Sequence, residues 1–199
     1  RWLGIVGSAA CVPAVAELLS DADLSHPARM ALEPLATPAA SAALRNALPK
    51  LQGKLLAGVI SSLGIRRDPE AVPALSRLAA DNDALIAGTA LAALGEIGTA
   101  EAARTLDGLQ VPESLSRTKA RAQIAAAGHS AASGQRPAAA AIYRMLTGPQ
   151  QSQAIRIAAL NGLIGALPQA EAVRLVVEMV QGEDDAMRTA TIAAYTRSP

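Results

Sequence analysis

The stretch "LIAGTALAALGEIGTAEAARTLDGL", Leu85 to Leu109, carries the main structural signal of the chain. It strings alanine, leucine and single glycines together at steps of three and four, with no reactive side chain among them. Apolar residues at that spacing share one face of a helix. Ala87, Leu91 and Leu94 show it here, and Leu56, Ile60 and Leu63 show it one unit earlier. Alanine has the strongest helix propensity and a very small side chain, so the pattern predicts helices packed at close approach.

The composition of the whole chain agrees. Of 199 residues, 51% are hydrophobic but only 2% are aromatic, and phenylalanine is absent. Alanine supplies roughly a quarter of the chain, far above ordinary usage. A sheet would need many β-branched and aromatic residues. The expected fold class is therefore all-α. The formal charge is +1, from 18 basic and 17 acidic residues. That balance gives no long-range field to draw nucleic acid or an anionic membrane, and no apolar run is long enough to span a bilayer. Cys11 is the only cysteine, so neither an intrachain disulfide nor a cysteine-based zinc site is expected. The chain starts at Arg1 and ends in "AAYTRSP", and it reads as a segment of a longer protein.

Internal repeats follow from aligning "CVPAVAELL", "PAASAALRNAL", "PEAVPALSRL", "AEAARTLDGL", "PAAAAIYRML" and "AEAVRLVVEM". Their anchors are Val15, Leu44, Leu75, Leu106, Ile142 and Val176, spaced by 29, 31, 31, 36 and 34 residues. Such steps belong to helical-repeat units. A second family of helices runs between the anchors. Gly64, Gly95, Gly128 and Gly165 follow the last apolar turn of these helices, where a left-handed cap is expected. Pro38, Pro69 and Pro137 stand where the next helix begins. Each unit reads as helix, tight turn, helix, and Leu75, Leu91, Leu94 and Leu106 are expected to form contiguous core.

"AGTALAALGEIGTAEAARTL" and "SSLGIRRDPEAVPALSRL" resemble HEAT-like repeats of the short bacterial, phycobilin-lyase type, most closely over residues 54–109. The resemblance implies a right-handed α-α superhelix, a solenoid of about six helix pairs forming one repeat domain over residues 1–199. The unit near 117–147 is similar instead to a tetratricopeptide pair, in which a small residue, a tyrosine and a leucine interlock. In the HEAT-like family an arginine of the second helix pairs with an aspartate of the adjacent turn. Arg29, Arg156 and Arg188 match that position, with Asp184 or Asp185 as partner of Arg188, and Ala87 breaks the series. The run "ALEPLATPAASAALRNALPKLQGKLLAGVISSLGIRRD" also resembles HEAT segments of large secreted or envelope proteins of bacteria, which implies that setting.

Candidate chemistry is sparse. His26 and His129 lie far apart in sequence, each beside a helix boundary where an imidazole meets free main-chain groups. The acidic runs "DADLS", "DND" and "EDD" suit helix capping, and none continues as a calcium loop. "GIRRDPEAV" is a candidate polar turn. Arg66 and Arg67 suit a phosphate or a carboxylate, or else Asp68 and Glu70 neutralise them locally. Trp2, Tyr143 and Tyr195 are the only aromatics, and Tyr143 sits among alanines as a core residue would.

The expected function is non-catalytic: a monomeric solenoid that binds a protein partner or spaces flanking domains. No cofactor, metal, nucleic-acid partner or membrane insertion is expected. Lys54, Arg121 and Arg156, on second helices, form the candidate partner-binding face. The alternative implied by resemblance is lyase- or glycosylase-type handling of a tetrapyrrole or of DNA.

Overall fold

The structure, a computed structural model, describes residues 8–196. Among the described residues there are twelve α-helices, four short 3-10 turns and no strand, so the fold is all-α. The helices fall into consecutive pairs. They are α1 (Val12–Glu17) with α2 (Ser25–Leu32), α3 (Pro38–Ala47) with α4 (Gly53–Ile65), and α5 (Val72–Leu78) with α6 (Ala84–Ile97). Then follow α7 (Ala100–Gly108) with α8 (Glu113–Ala132), α9 (Arg136–Leu146) with α10 (Gln153–Ala166), and α11 (Gln169–Gln181) with α12 (Asp185–Tyr195).

Packing is serial. The second helices lie side by side in chain order, α2 on α4, α4 on α6, α6 on α8, α8 on α10 and α10 on α12. Substantial helix–helix contact is confined to helices no more than two places apart in the chain. The starts are set by side-chain caps: Thr37, Asp83, Thr99 and Asp184 each accept a main-chain N–H of the first turn. The acidic runs do the same work, with Asp21 accepting from Asp23 and Leu24, and Asp81 from Asp83. Pro38 opens α3, Pro69 opens the turn before α5, and Pro137 is the second residue of α9.

The glycines correct the sequence reading. Gly64, Gly95, Gly128 and Gly165 lie within α4, α6, α8 and α10 rather than beyond their ends. Gly64 and Gly95 serve contact between neighbours. A Cβ on Gly64 would stand 2.9 Å from Ala93 Cα, and one on Gly95 would stand 2.7 Å from Ala122 O. Each is a notch that receives an alanine of the next second helix. The left-handed residue that ends α6 is Gly98 (φ 60°). At the end of α4 it is Arg67 (φ 49°), where the Arg67 N–H donates to Gly64 O and the Asp68 N–H to Leu63 O. Those two bonds make a Schellman motif with arginine where glycine is usual.

Leu75, Leu91, Leu94 and Leu106 are fully buried in one cluster, as expected from the best-matched units. That cluster runs from Val12 to Ala126. A second one takes over inside α8: Leu115, Ala122 and Ala126 face the first core, whereas Ala120 and Ala127 face the second, which continues to Met187. Anchors Val15 and Leu44 are buried, but Ile142 and Val176 are only half-buried. On α9 the buried row is Ala139, Tyr143 and Leu146, because the larger tyrosine takes the inward position. Its ring lies over Gly162, where a Cβ would come within 2.3 Å of Tyr143 Cζ. Burial raises the Tyr143 pKa above its ordinary value. Trp2 lies outside the described residues.

Candidate functional site

The polar turn holds the structure together. Arg66 ends α4, and its guanidinium turns back onto the preceding pair. Nη1 shares its N–H groups among the carbonyls of Leu32 (2.6 Å), Glu33 (2.7 Å) and Leu35 (2.8 Å). Nη2 donates to Thr37 O at 3.1 Å and Nε to Ser41 Oγ at 3.0 Å. Leu32 O, Leu35 O and Thr37 O each also accept a main-chain N–H of the turn, from Leu35, Thr37 and Ala40, whereas Glu33 O has the Arg66 guanidinium as its donor. Burial pulls the Arg66 pKa down, while the nearby carboxylates of Asp68 and Glu33 push the other way. Arg67, next to it, is exposed and carries the left-handed backbone of the Schellman turn.

A second polar seam crosses the same pairs. Arg29 of α2 donates to Gly58 O at 3.1 Å and to Ser62 Oγ at 3.3 Å, and the Ser62 hydroxyl donates to Glu33 Oε1 at 2.7 Å. A Cβ on Gly58 would stand 2.7 Å from the Arg29 guanidinium, which would have to shift. Arg45 of α3 bridges forward to buried Asp68 and to Glu70. Thus Asp68 and Glu70 pair with Arg45.

The later pairs use a different device. Arg156 of α10 pairs with Asp184 at 2.8 Å, and its Nε donates to Thr147 O beyond α9 at 3.2 Å. Arg188 of α12 pairs with Asp185 at 2.8 Å and donates to Gly182 O beyond α11 at 2.7 Å. Lys119 of α8 does the equivalent, donating to Asp107 O (3.1 Å) and Leu109 O (2.7 Å) at the end of α7. In three successive pairs, a cation of the second helix closes the exposed carbonyls of the first. Sequence reasoning missed Lys119. It stands six residues into α8, whereas Arg156 and Arg188 stand three residues into theirs.

Of the candidate partner-binding face, Lys54 in the first turn of α4 and Arg121 in the middle of α8 are exposed. Arg156 is only 23% exposed and is held in the interhelix bridge just described. His26 meets Arg29 Nη2 through Nδ1 at 3.2 Å. His129 lies over Gly98, with Nε2 3.6 Å from Glu96 Oε2. Cys11 sits at the edge of the first core, with Sγ 3.0 Å from Ser8 O. The described residues contain no helix long and apolar enough to cross a membrane.

The grooves of the surface include two apolar ones and a polar one. One of 530 Å³ separates α1 from α3, and one of 380 Å³ separates α7 from α9. The polar groove, 460 Å³, opens along the first half of α8, between the α7–α8 turn and the α9–α10 turn. Sequence reasoning did not single it out, since its walls come from three separate segments. Comparison with protein-family models finds no match, and comparison with curated proteins finds none either.

Proposed function

We propose that the chain is a non-catalytic α-solenoid: a right-handed superhelix of six HEAT-like helix pairs, monomeric, that binds a protein partner or spaces flanking domains. The observation that supports this reading is the serial packing, in which no helix packs substantially on one more than two places away in the chain. Stacks of that kind grow along one direction and present long surfaces built from one helix per unit. The ionic groups of Arg29, Arg45, Arg66, Lys119, Arg156 and Arg188 hold successive elements together, and Lys54, Arg67 and Arg121 are among the cations that stay exposed.

Shape and binding test the two halves of the proposal. A compact globule of this length has a radius of gyration of about 16 Å. Small-angle scattering should return a clearly larger value with an elongated distance distribution, and light scattering should return one chain per particle. Panning a library of displayed peptides against the whole chain should yield binders, with Lys54→Glu and Arg121→Glu weakening those that use the second-helix face. Saturable binding of a tetrapyrrole or of duplex DNA, with no peptide selected, would replace this reading by a ligand-handling one.

A further inference from the structure

The polar groove along α8 has a chemical character of its own. Gln123 is 7% exposed and lines the groove, yet its amide has no hydrogen-bond partner among the described residues. The residue is buried but its amide atoms are not among the buried partnerless ones, so the amide opens to the groove and offers two donors and an acceptor there. Three more amides face the same space: Gln110 from the α7–α8 turn, and Gln150 and Gln151 from the α9–α10 turn. Lys119 also lines it, but its ammonium is already held by two main-chain carbonyls. The two carboxylates of exposed Asp107 and Glu113 against the one ammonium of Lys119 give the lining a formal balance of −1. Met145, 42% exposed, adds an adaptable apolar edge.

We propose that this groove binds a short extended peptide, its main chain matched by the glutamine amides and a basic side chain directed to Asp107 and Glu113. This rests on the partner-binding reading and names the chemistry of the partner segment. Amide forks and peptide units are complementary, since each carries a donor and an acceptor. From Glu113 to Gln123 the wall runs about 15 Å, at 1.5 Å per residue. That length spans four to five residues of extended chain at roughly 3.3 Å each. A neutral sugar would use the amides but neither the acidic end nor the methionine.

The test is a side-chain amide NMR titration of the whole chain with three probes. These are a blocked Ala-Lys-Ala-Ala peptide, its Ala-Glu-Ala-Ala counterpart, and maltotetraose. The lysine peptide should shift the Gln123, Gln150 and Gln151 amides saturably and bind several-fold more tightly than the glutamate peptide. Gln123→Leu, which removes a partnerless amide at similar volume, should keep the melting temperature and lose roughly five- to tenfold in affinity. Asp107→Lys with Glu113→Lys, both exposed, should reverse the preference between the peptides. Unchanged peptide binding by Gln123→Leu, shifts confined to other surfaces, or tighter binding of maltotetraose would each overturn the proposal. If library peptides bind the chain but not this groove, partner binding stands and the groove assignment falls. If no peptide binds anywhere, both fall.

Discussion

Arg66 reaches carbonyls that lie 29 to 34 residues earlier in the chain, and that distance explains why its role was hidden. A main-chain carbonyl has no sequence signature, so a guanidinium fork reads as a free anion site until the fold supplies its acceptors. Arg66→Met should leave Glu33 O without a protein donor and Leu32 O, Leu35 O and Thr37 O with one main-chain N–H each, and cost about 1–3 kcal/mol in urea unfolding, with water recovering part of the loss. Its neighbour gives the opposite sign. Arg67 holds φ at 49°, a conformation that costs a side-chain-bearing residue roughly 1–2 kcal/mol. Arg67→Gly should therefore stabilise the protein, by about 1 kcal/mol at most once the added freedom of the unfolded chain is counted. Glycines inside helices were misplaced for a related reason. One turn before a helix end, a notch for a neighbour and a cap look alike in sequence, and only the position of Ala93 or Ala122 separates them. The buried leucines, by contrast, were readable because period alone places them.

Among the elements, the seam from α10 to α12 carries a pH dependence. The Asp184 carboxyl is held below the usual carboxylate range, first by the Met187 N–H and then by Arg156. A carboxylate with a depressed folded-state pKa stabilises the fold above its unfolded pKa. That contribution is lost as the pH falls through the folded value. Hydrogen exchange in α12 should thus be flat from about pH 5 to 8 and accelerate, relative to its intrinsic rate, below about pH 4. Asp184→Asn should remove that change. The α10 and α12 bridges were partly foreseen, since Arg156 and Arg188 sit at matching places in their helices. Lys119 was not, because α8 begins three residues earlier relative to its cation.

For the whole molecule, the division of the core inside α8 matters most. Serially packed units are coupled mainly to their neighbours, so a local loss of core need not spread evenly. Leu91 belongs to the first cluster and Leu160 to the second, and both are fully buried. Each alanine substitution should cost about 2–5 kcal/mol. Native-state hydrogen exchange should report Leu91→Ala chiefly in α4 to α7 and Leu160→Ala chiefly in α9 to α12, with α8 responding to both. Equal loss of protection along the whole chain in either variant would mean that the two clusters behave as one.

The glycine notches bear on how such a chain can lengthen. Gly64 and Gly95 are 31 residues apart and each receives an alanine of the following second helix. A tandem duplication of residues 65–95 would place the first copy's Gly95 opposite the second copy's Ala93, and the second copy's Gly95 opposite Ala122. Both junctions are glycine against alanine, as in the parent. The protein should accept this extra block as a seventh helix pair and melt cooperatively, with helicity rising in proportion to length. An insertion of half that size would set a glycine against solvent and an alanine against a full side chain, and should fail to express as a folded protein. Whole-unit growth is in this sense permitted by the joint itself, whereas fractional growth is barred.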